Sequence, residues 1–298
     1  MAMVRRWTVF ALAVIFVLLA APGQAAAAPP LGHPPAGGEI EQRYTEPGPY
    51  EVTREDVTDP ASGGRFALFL PEGGDHKYPI VTWGNGTGAR PDNYESVLRH
   101  LASWGFAAID SYSSQTGSGT EILAGAKYLL RRNDDGDDPL HDRLDPDRVA
   151  AVGHSQGATG VLNANRLADG AIITTVPIGL PTAASGAGLV PLPANVHDLT
   201  GPTFFIAGGL DLLICPPSGI LAAYRDTDGP AAVATRREAE HILLVQTTVG
   251  YVTAWLRYQL ADDPDAARAF VGSSPEIRHN PLWTDQASKD LPPAGETD

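Results

Sequence analysis

From Tyr50 onward, short apolar runs alternate with longer amphipathic stretches, and this alternation limits the architecture more than any other feature of the sequence. The apolar runs read as strands at residues 50–57, 65–70, 80–83, 107–110, 149–152, 172–178, 203–207 and 232–236. Helical periodicity falls between the later ones, at 93–104, 120–132, 156–168, 218–224 and 242–260. Parallel strands need a crossover, usually a helix, so regular strand-helix succession predicts an α/β fold with a mostly parallel sheet covered on both faces. No helix separates the first two runs, which predicts an antiparallel hairpin at the start.

Residues 1–27 read as a cleaved secretory signal. Arg5 and Arg6 precede an apolar run from Thr8 to Ala21, and Ala25, Ala26 and Ala27 supply small residues for cleavage. The run is shorter than the roughly 20 apolar residues that span a bilayer, and Pro22 and Gly23 close it, so no stable membrane anchor is expected. Residues 28–47 read as an extended lead-in, 48–272 as one domain, and 273–298 as an irregular tail containing Pro275, Pro281, Pro292 and Pro293. The expectation is a monomer outside the cell. A net charge of −14, more acidic still once the two signal arginines are gone, makes nucleic acid and anionic lipid poor partners. The one cysteine, Cys215, cannot form an internal disulfide and is expected to be a buried thiol. The aspartate-rich stretch 133–147 lacks calcium-loop spacing and reads as a solvated acidic loop.

The chemistry-bearing motif is Gly153-His154-Ser155-Gln156-Gly157, the one G-x-S-x-G in the chain, set between an apolar strand and a helix. A serine attacks a carbonyl only if its oxygen is held exposed and a base takes its proton. The elbow holds the oxygen, and the pattern calls for an acid and then a histidine after later strands. Asp211, in "GGLD" after the 203–207 strand, and His241, in "REAEH" after the 232–236 strand, stand in that order. Asp226, Asp228 and Glu240 are weaker candidates for the acid, and His197 and His279 for the base.

Two backbone N–H groups would receive the developing oxyanion. One is that of Gln156, and the other comes from the loop "WGNGTGARP", from Thr87 or Gly86. Gly86, His154 and Leu180 are expected around the substrate, with His154 pointing away from the serine oxygen as a wall or packing residue. The same loop also fits G-x-G-x-x-A from Gly84 to Ala89, with Asp110 on the next strand, as in a dinucleotide site. A dinucleotide-dependent oxidoreductase and a non-catalytic binding protein are therefore the rival readings. Asn85-Gly86-Thr87 forms a glycosylation sequon that a buried loop could not use.

The ordered segments "GPYEV", "GNGTG", "LASWGFAAID", "RLDPDRVAAVGHSQGA", "GGLDLLICP" and "EAEH" resemble the secreted actinobacterial cutinases and polyester hydrolases, which include poly(ethylene terephthalate) hydrolases. The resemblance runs from about Gly48 to Phe270. It implies an α/β-hydrolase fold, Ser155 as nucleophile, Asp211 as acid, His241 as base, Thr87 and Gln156 as oxyanion donors, and no metal or organic cofactor. Three departures stand out. The family usually has an aromatic residue at the position of Thr87 and a methionine at that of Gln156. Its tryptophan after the following strand is replaced by Ile178-Gly179-Leu180-Pro181, so the aromatic clamp for a terephthalate ring is absent. The expected activity is that of a secreted serine carboxylester hydrolase on short- to medium-chain esters, with polyesters as the analogous substrate. An acetyl-carbohydrate esterase or a lipase of the same fold is the alternative.

Overall fold

A computed structural model describes residues 36–185, 194–293 and 295. The expected signal lies outside the described residues, as do 186–193 of the proline- and glycine-rich loop after residue 181. The strands are β1 (Val52–Thr58), β2 (Arg65–Pro71), β3 (Tyr78–Gly84), β4 (Ala107–Ser111), β5 (Leu144–His154), β6 (Thr174–Ile178), β7 (Thr203–Gly208), β8 (Ala231–Arg236) and β9 (Trp283–Lys289). They form one sheet in the order β1-β2-β4-β3-β5-β6-β7-β8-β9. The middle, from β4 through β8, is parallel, and β1, β2 and β9 are antiparallel to their neighbours. The α/β expectation therefore holds, including the opening hairpin.

Strand burial follows position. β4, β6, β7 and β8 are buried at every residue, because helices cover both faces and a two-sided strand has no polar face to show. β1 is the edge; it is largely exposed, and Arg54, Glu55 and Asp56 discourage further pairing. One face carries α1 (Glu39–Thr45), α2 (Pro91–Ser103) and α6 (Leu244–Ala261), whose Leu98, Val249 and Trp255 join Phe69, Phe204 and Trp83 in the main core. The other face carries α3 (Thr120–Asp134), α4 (Gln156–Leu167) and α5 (Pro217–Asp226), packed through Ile122, Leu129, Val161, Leu162 and Ile220. A four-residue α7 (Pro264–Ala267) follows α6. No helix of the described residues is long and apolar enough to cross a membrane.

The two ends depart from expectation. The lead-in contains α1, and the tail contains β9 paired with β8, so the fold extends past residue 272 on one side and before 48 on the other. A seven-residue helix is marginal alone. Here Glu276 accepts the Ile40 and Glu41 amides at 2.8 and 2.9 Å, and Glu41 accepts Trp283 Nε1–H at 2.8 Å and Asn280 Nδ2–H at 2.7 Å. These partners lie more than 230 residues away in sequence, so no local pattern announces them. In the acidic stretch, Asp138 binds Arg132 and Asp135 and Asp145 accept nearby amides, as a solvated turn requires.

Candidate active site

β5 ends in a turn that only this sequence pattern tolerates. Ser155 has φ 56° and ψ −122°, a conformation that is costly for a residue with a side chain and one that sets its oxygen above the strand end. Two glycines let the backbones close around it. A Cβ on Gly153 would stand 2.4 Å from the Gly157 carbonyl oxygen, and one on Gly157 would stand 2.0 Å from that of Gly84. The Ser155 amide donates to the Ile178 carbonyl at 2.9 Å, which ties the elbow to β6.

Asp211 and His241 lie in the loops after β7 and β8, and the sheet brings both to the serine. His241 Nε2 is 2.9 Å from Ser155 Oγ, and His241 Nδ1 is 2.6 Å from Asp211 Oδ2. An ionised carboxylate only accepts, so Nδ1 carries the imidazole proton and Nε2 is free to accept from the serine hydroxyl. Asp211 Oδ1 accepts the Ile214 and Cys215 amides at 3.1 and 3.0 Å. Burial pushes the Asp211 carboxyl up, but the His241 bond and these two amides outweigh it and hold it below the usual carboxylate range. Ser155 itself is half-buried.

The rivals have other work. His197 pairs with Asp228 on the surface at 3.2 Å, and Glu240 accepts the Ile242 and Leu243 amides. Asp226 closes α5, and His279 lies in a 3₁₀ turn near the end of the chain.

Of the two oxyanion loop amides, that of Gly86 donates to the Tyr94 hydroxyl at 3.1 Å, which leaves Thr87. Gly86 packs against the serine, since an added Cβ would be 3.4 Å from Ser155 Cβ, and Thr87 beside it is exposed. Gln156 opens α4, where the first amides have no acceptor within the helix. Its side chain ties the helix start to the loop after β4, accepting the Thr116 amide and donating to Gln115 Oε1, each at 3.0 Å.

Of the residues expected around the substrate, Leu180 is differently placed, and His154 is a packing residue rather than a wall. Leu180 is buried with Leu162, Phe205 and Cys215 and borders a cavity of about 510 Å³ shared with Val196 and Ala222. His154 is buried beneath the elbow, because its ring fills the space between α2 and the base loop; its nitrogens meet Tyr94 Oη and the His241 carbonyl, each at 3.0 Å. Sequence reasoning missed Tyr94 and Gly179. Gly179 has φ 61°, and an added Cβ would sit 3.4 Å from His241 Cε1. Its position immediately after a strand was the available signal.

Other chemistries fit the residues poorly. Asp211, Cys215 and His241 bring ligand atoms within 4.8 Å of one another. Burial, with Asp211 nearby, pushes the thiol far up, and the imidazole and carboxylate already hold each other, so the set is a poor metal cage. Asp110 is fully buried and its carboxyl is raised well above the usual range by that burial, so it cannot greet a ribose. Asn85 is buried too, its amide donating to the Ser111 and Ser113 carbonyls, and could not carry a sugar.

Five large apolar side chains close in sequence to Asp211 and His241 are exposed, Leu210, Leu212, Leu213, Ile242 and Leu243, each by between 54% and 72%. All belong to the loops that carry Asp211 and His241. No curated protein matches the chain. The family model described as PET hydrolase-like matches residues 25–282. A nine-stranded α/β sheet with a serine elbow at its strand ends agrees with that match, and the chain belongs to the PET hydrolase-like family, a family of ester hydrolases.

Proposed function

We propose that the protein is an exported serine carboxylester hydrolase that works through an acyl-enzyme on esters with apolar acyl groups. The observation that carries this is the hydrogen-bonded chain Ser155–His241–Asp211 at a strained elbow. As Ser155 Oγ bonds to the ester carbonyl carbon, its proton passes to His241 Nε2 and the carbonyl π electrons move onto oxygen. The Thr87 and Gln156 amides receive that oxyanion. Collapse expels the alcohol, which takes the proton from His241. Water then attacks the acyl-serine, giving its proton to His241, and the second collapse releases the acid and restores Ser155.

The exposed apolar side chains on the Asp211 and His241 loops support an apolar acyl side, since each methylene removed from water contributes about 0.8 kcal/mol. Residues 178–185 contain no aromatic side chain to clamp a terephthalate ring, so aliphatic esters and aliphatic polyesters fit this reading better. The apolar run after Arg5 and Arg6 supports export.

The test is release of p-nitrophenol from acetate, butyrate, octanoate and palmitate esters by the wild type and by Ser155→Ala. Turnover by the wild type with loss of about 10⁴-fold or more in the folded variant is expected. Activity in the variant within about tenfold of wild type would overturn the assignment of the nucleophile.

A further inference from the structure

Beneath the elbow, one unbroken line of hydrogen bonds joins the oxyanion loop to the backbone of the base. The Gly86 amide donates to Tyr94 Oη at 3.1 Å, Tyr94 Oη meets His154 Nδ1 at 3.0 Å, and His154 Nε2 meets the His241 carbonyl at 3.0 Å. The His241 carbonyl can only accept, so His154 Nε2 must carry a proton. In the neutral ring Nδ1 then accepts, the Tyr94 hydroxyl donates to it, and a hydroxyl lone pair takes the Gly86 amide. One proton arrangement satisfies every group. The line is also buried, with Tyr94 and His154 in the interior and Trp83 packed on Tyr94 at 4.9 Å between ring centroids.

We propose that Tyr94 and His154 are positioning residues that lock the oxyanion loop and the His241 backbone into one register. They touch no reacting atom in this scheme. Their effect is to commit the Gly86 amide elsewhere, so that Thr87 is the loop's oxyanion donor, and to fix the distance from that donor to the imidazole that moves the proton. The inference rests on the proposed hydrolase reading for its kinetic consequence but not for its proton arrangement.

The line holds only if both groups keep their ordinary neutral forms. Burial pushes the Tyr94 phenol up to about 12, with a smaller lowering by the Gly86 amide. Burial, and then the neighbouring His241 ring 4.7 Å away, pushes the His154 imidazole down to about 3. Tyr94, His241 and Asp211 are the titratable groups that face His154, and a doubly protonated His154 would leave the Tyr94 proton with no acceptor on the ring.

Two readouts test the proposal. In ¹⁵N-histidine-labelled protein, with the His154 signals assigned by their loss in His154→Leu, the ring is expected neutral and Nε2-protonated at about pH 6. An Nδ1-protonated or doubly protonated ring at that pH overturns the line whether or not the protein cleaves esters. In steady-state assays with p-nitrophenyl butyrate, Tyr94→Phe is expected to lower kcat by roughly 10- to 100-fold while KM moves by less than about threefold. His154→Gln, which keeps a donor near the His241 carbonyl, is expected to retain more activity than His154→Leu. A Tyr94→Phe kcat within about twofold of wild type, or equal losses in the Gln and Leu variants, overturns the positioning role. Should wild type cleave no ester, the hydrolase reading fails and the ring's protonation state alone decides the proton line.

Discussion

The molecule holds two buried polar clusters fed by the same strand end. β8 delivers Arg236 to the cluster around Glu41, Asn280 and Trp283, and five residues later His241 reaches Ser155 and Asp211. In the first cluster the acceptors are consumed. Glu41 takes the Gly37 amide, Asn280 and Trp283, while Glu276 takes two amides of α1 and the Tyr251 hydroxyl. That cluster has nothing left to offer a ligand, and it fastens the two ends of the chain together. The second cluster combines a serine with a positive φ, an imidazole nitrogen facing its hydroxyl, and the Thr87 and Gln156 amides, which have no acceptor among the described residues. Burial and polarity are common to both. What distinguishes the proposed catalytic one is strain and unspent hydrogen-bonding capacity.

The sharpest way to break this comparison is to damage each cluster and read both activity and stability. Asp211→Asn is expected to lower kcat by about 10⁴-fold, since an amide N–H facing His241 Nδ1 selects the wrong tautomer, with little change in the urea midpoint. Glu41→Ala is expected to do the converse. Withdrawing the carboxylate from Trp283, Asn280 and Arg236 should lower unfolding free energy by about 3 kcal/mol, measured by urea titration, with kcat held within about twofold. A parallel loss of kcat in Glu41→Ala would show that the clusters are one unit.

Each region also contains a neutral imidazole gripping a carbonyl, His154 on His241 and His100 on Tyr44 of α1. Burial, chiefly, lowers their pKa values from 6.5 to about 3 and about 4. The unfolded chain therefore takes up these protons first as pH falls. Their contribution is complete above pH 6.5 and is lost on acidification, by about 2 kcal/mol each near pH 5. Urea midpoints from pH 7.5 to 5 should fall accordingly, and His100→Gln should remove roughly half of that slope. A flat profile would mean that neither imidazole is held neutral. The smallest effect concerns the exposed leucines. Leu213→Ser should reduce kcat/KM for the octanoate ester by about fivefold relative to acetate, as expected for losing about 1 kcal/mol of apolar contact. Equal effects on both esters would separate the leucines from acyl recognition.

The sequence by itself determined what is local or periodic. Apolar period and length set the eight parallel and hairpin strands and five of the helices within a few residues, because a two-sided strand must be apolar throughout and a surface helix must carry a stripe. The elbow was legible because its strand, turn and helix are consecutive and Gly153 is required by contact with Gly157 four residues on, although Gly157 itself is required by the distant Gly84. Asp211 and His241 were legible because parallel topology carries every βα loop to one edge. Tertiary structure alone decided the rest. α1 exists through partners more than 200 residues distant, and β9 through a ladder with β8 about 50 residues earlier, which no short window of sequence contains. Likewise the sequence left His154 as either a wall of the site or a packing residue, and the structure makes it a packing residue beneath the elbow. Which way a ring faces, and which carbonyl it meets, depends on the packing of α2 and the base loop around it, and that is settled only when the whole core closes.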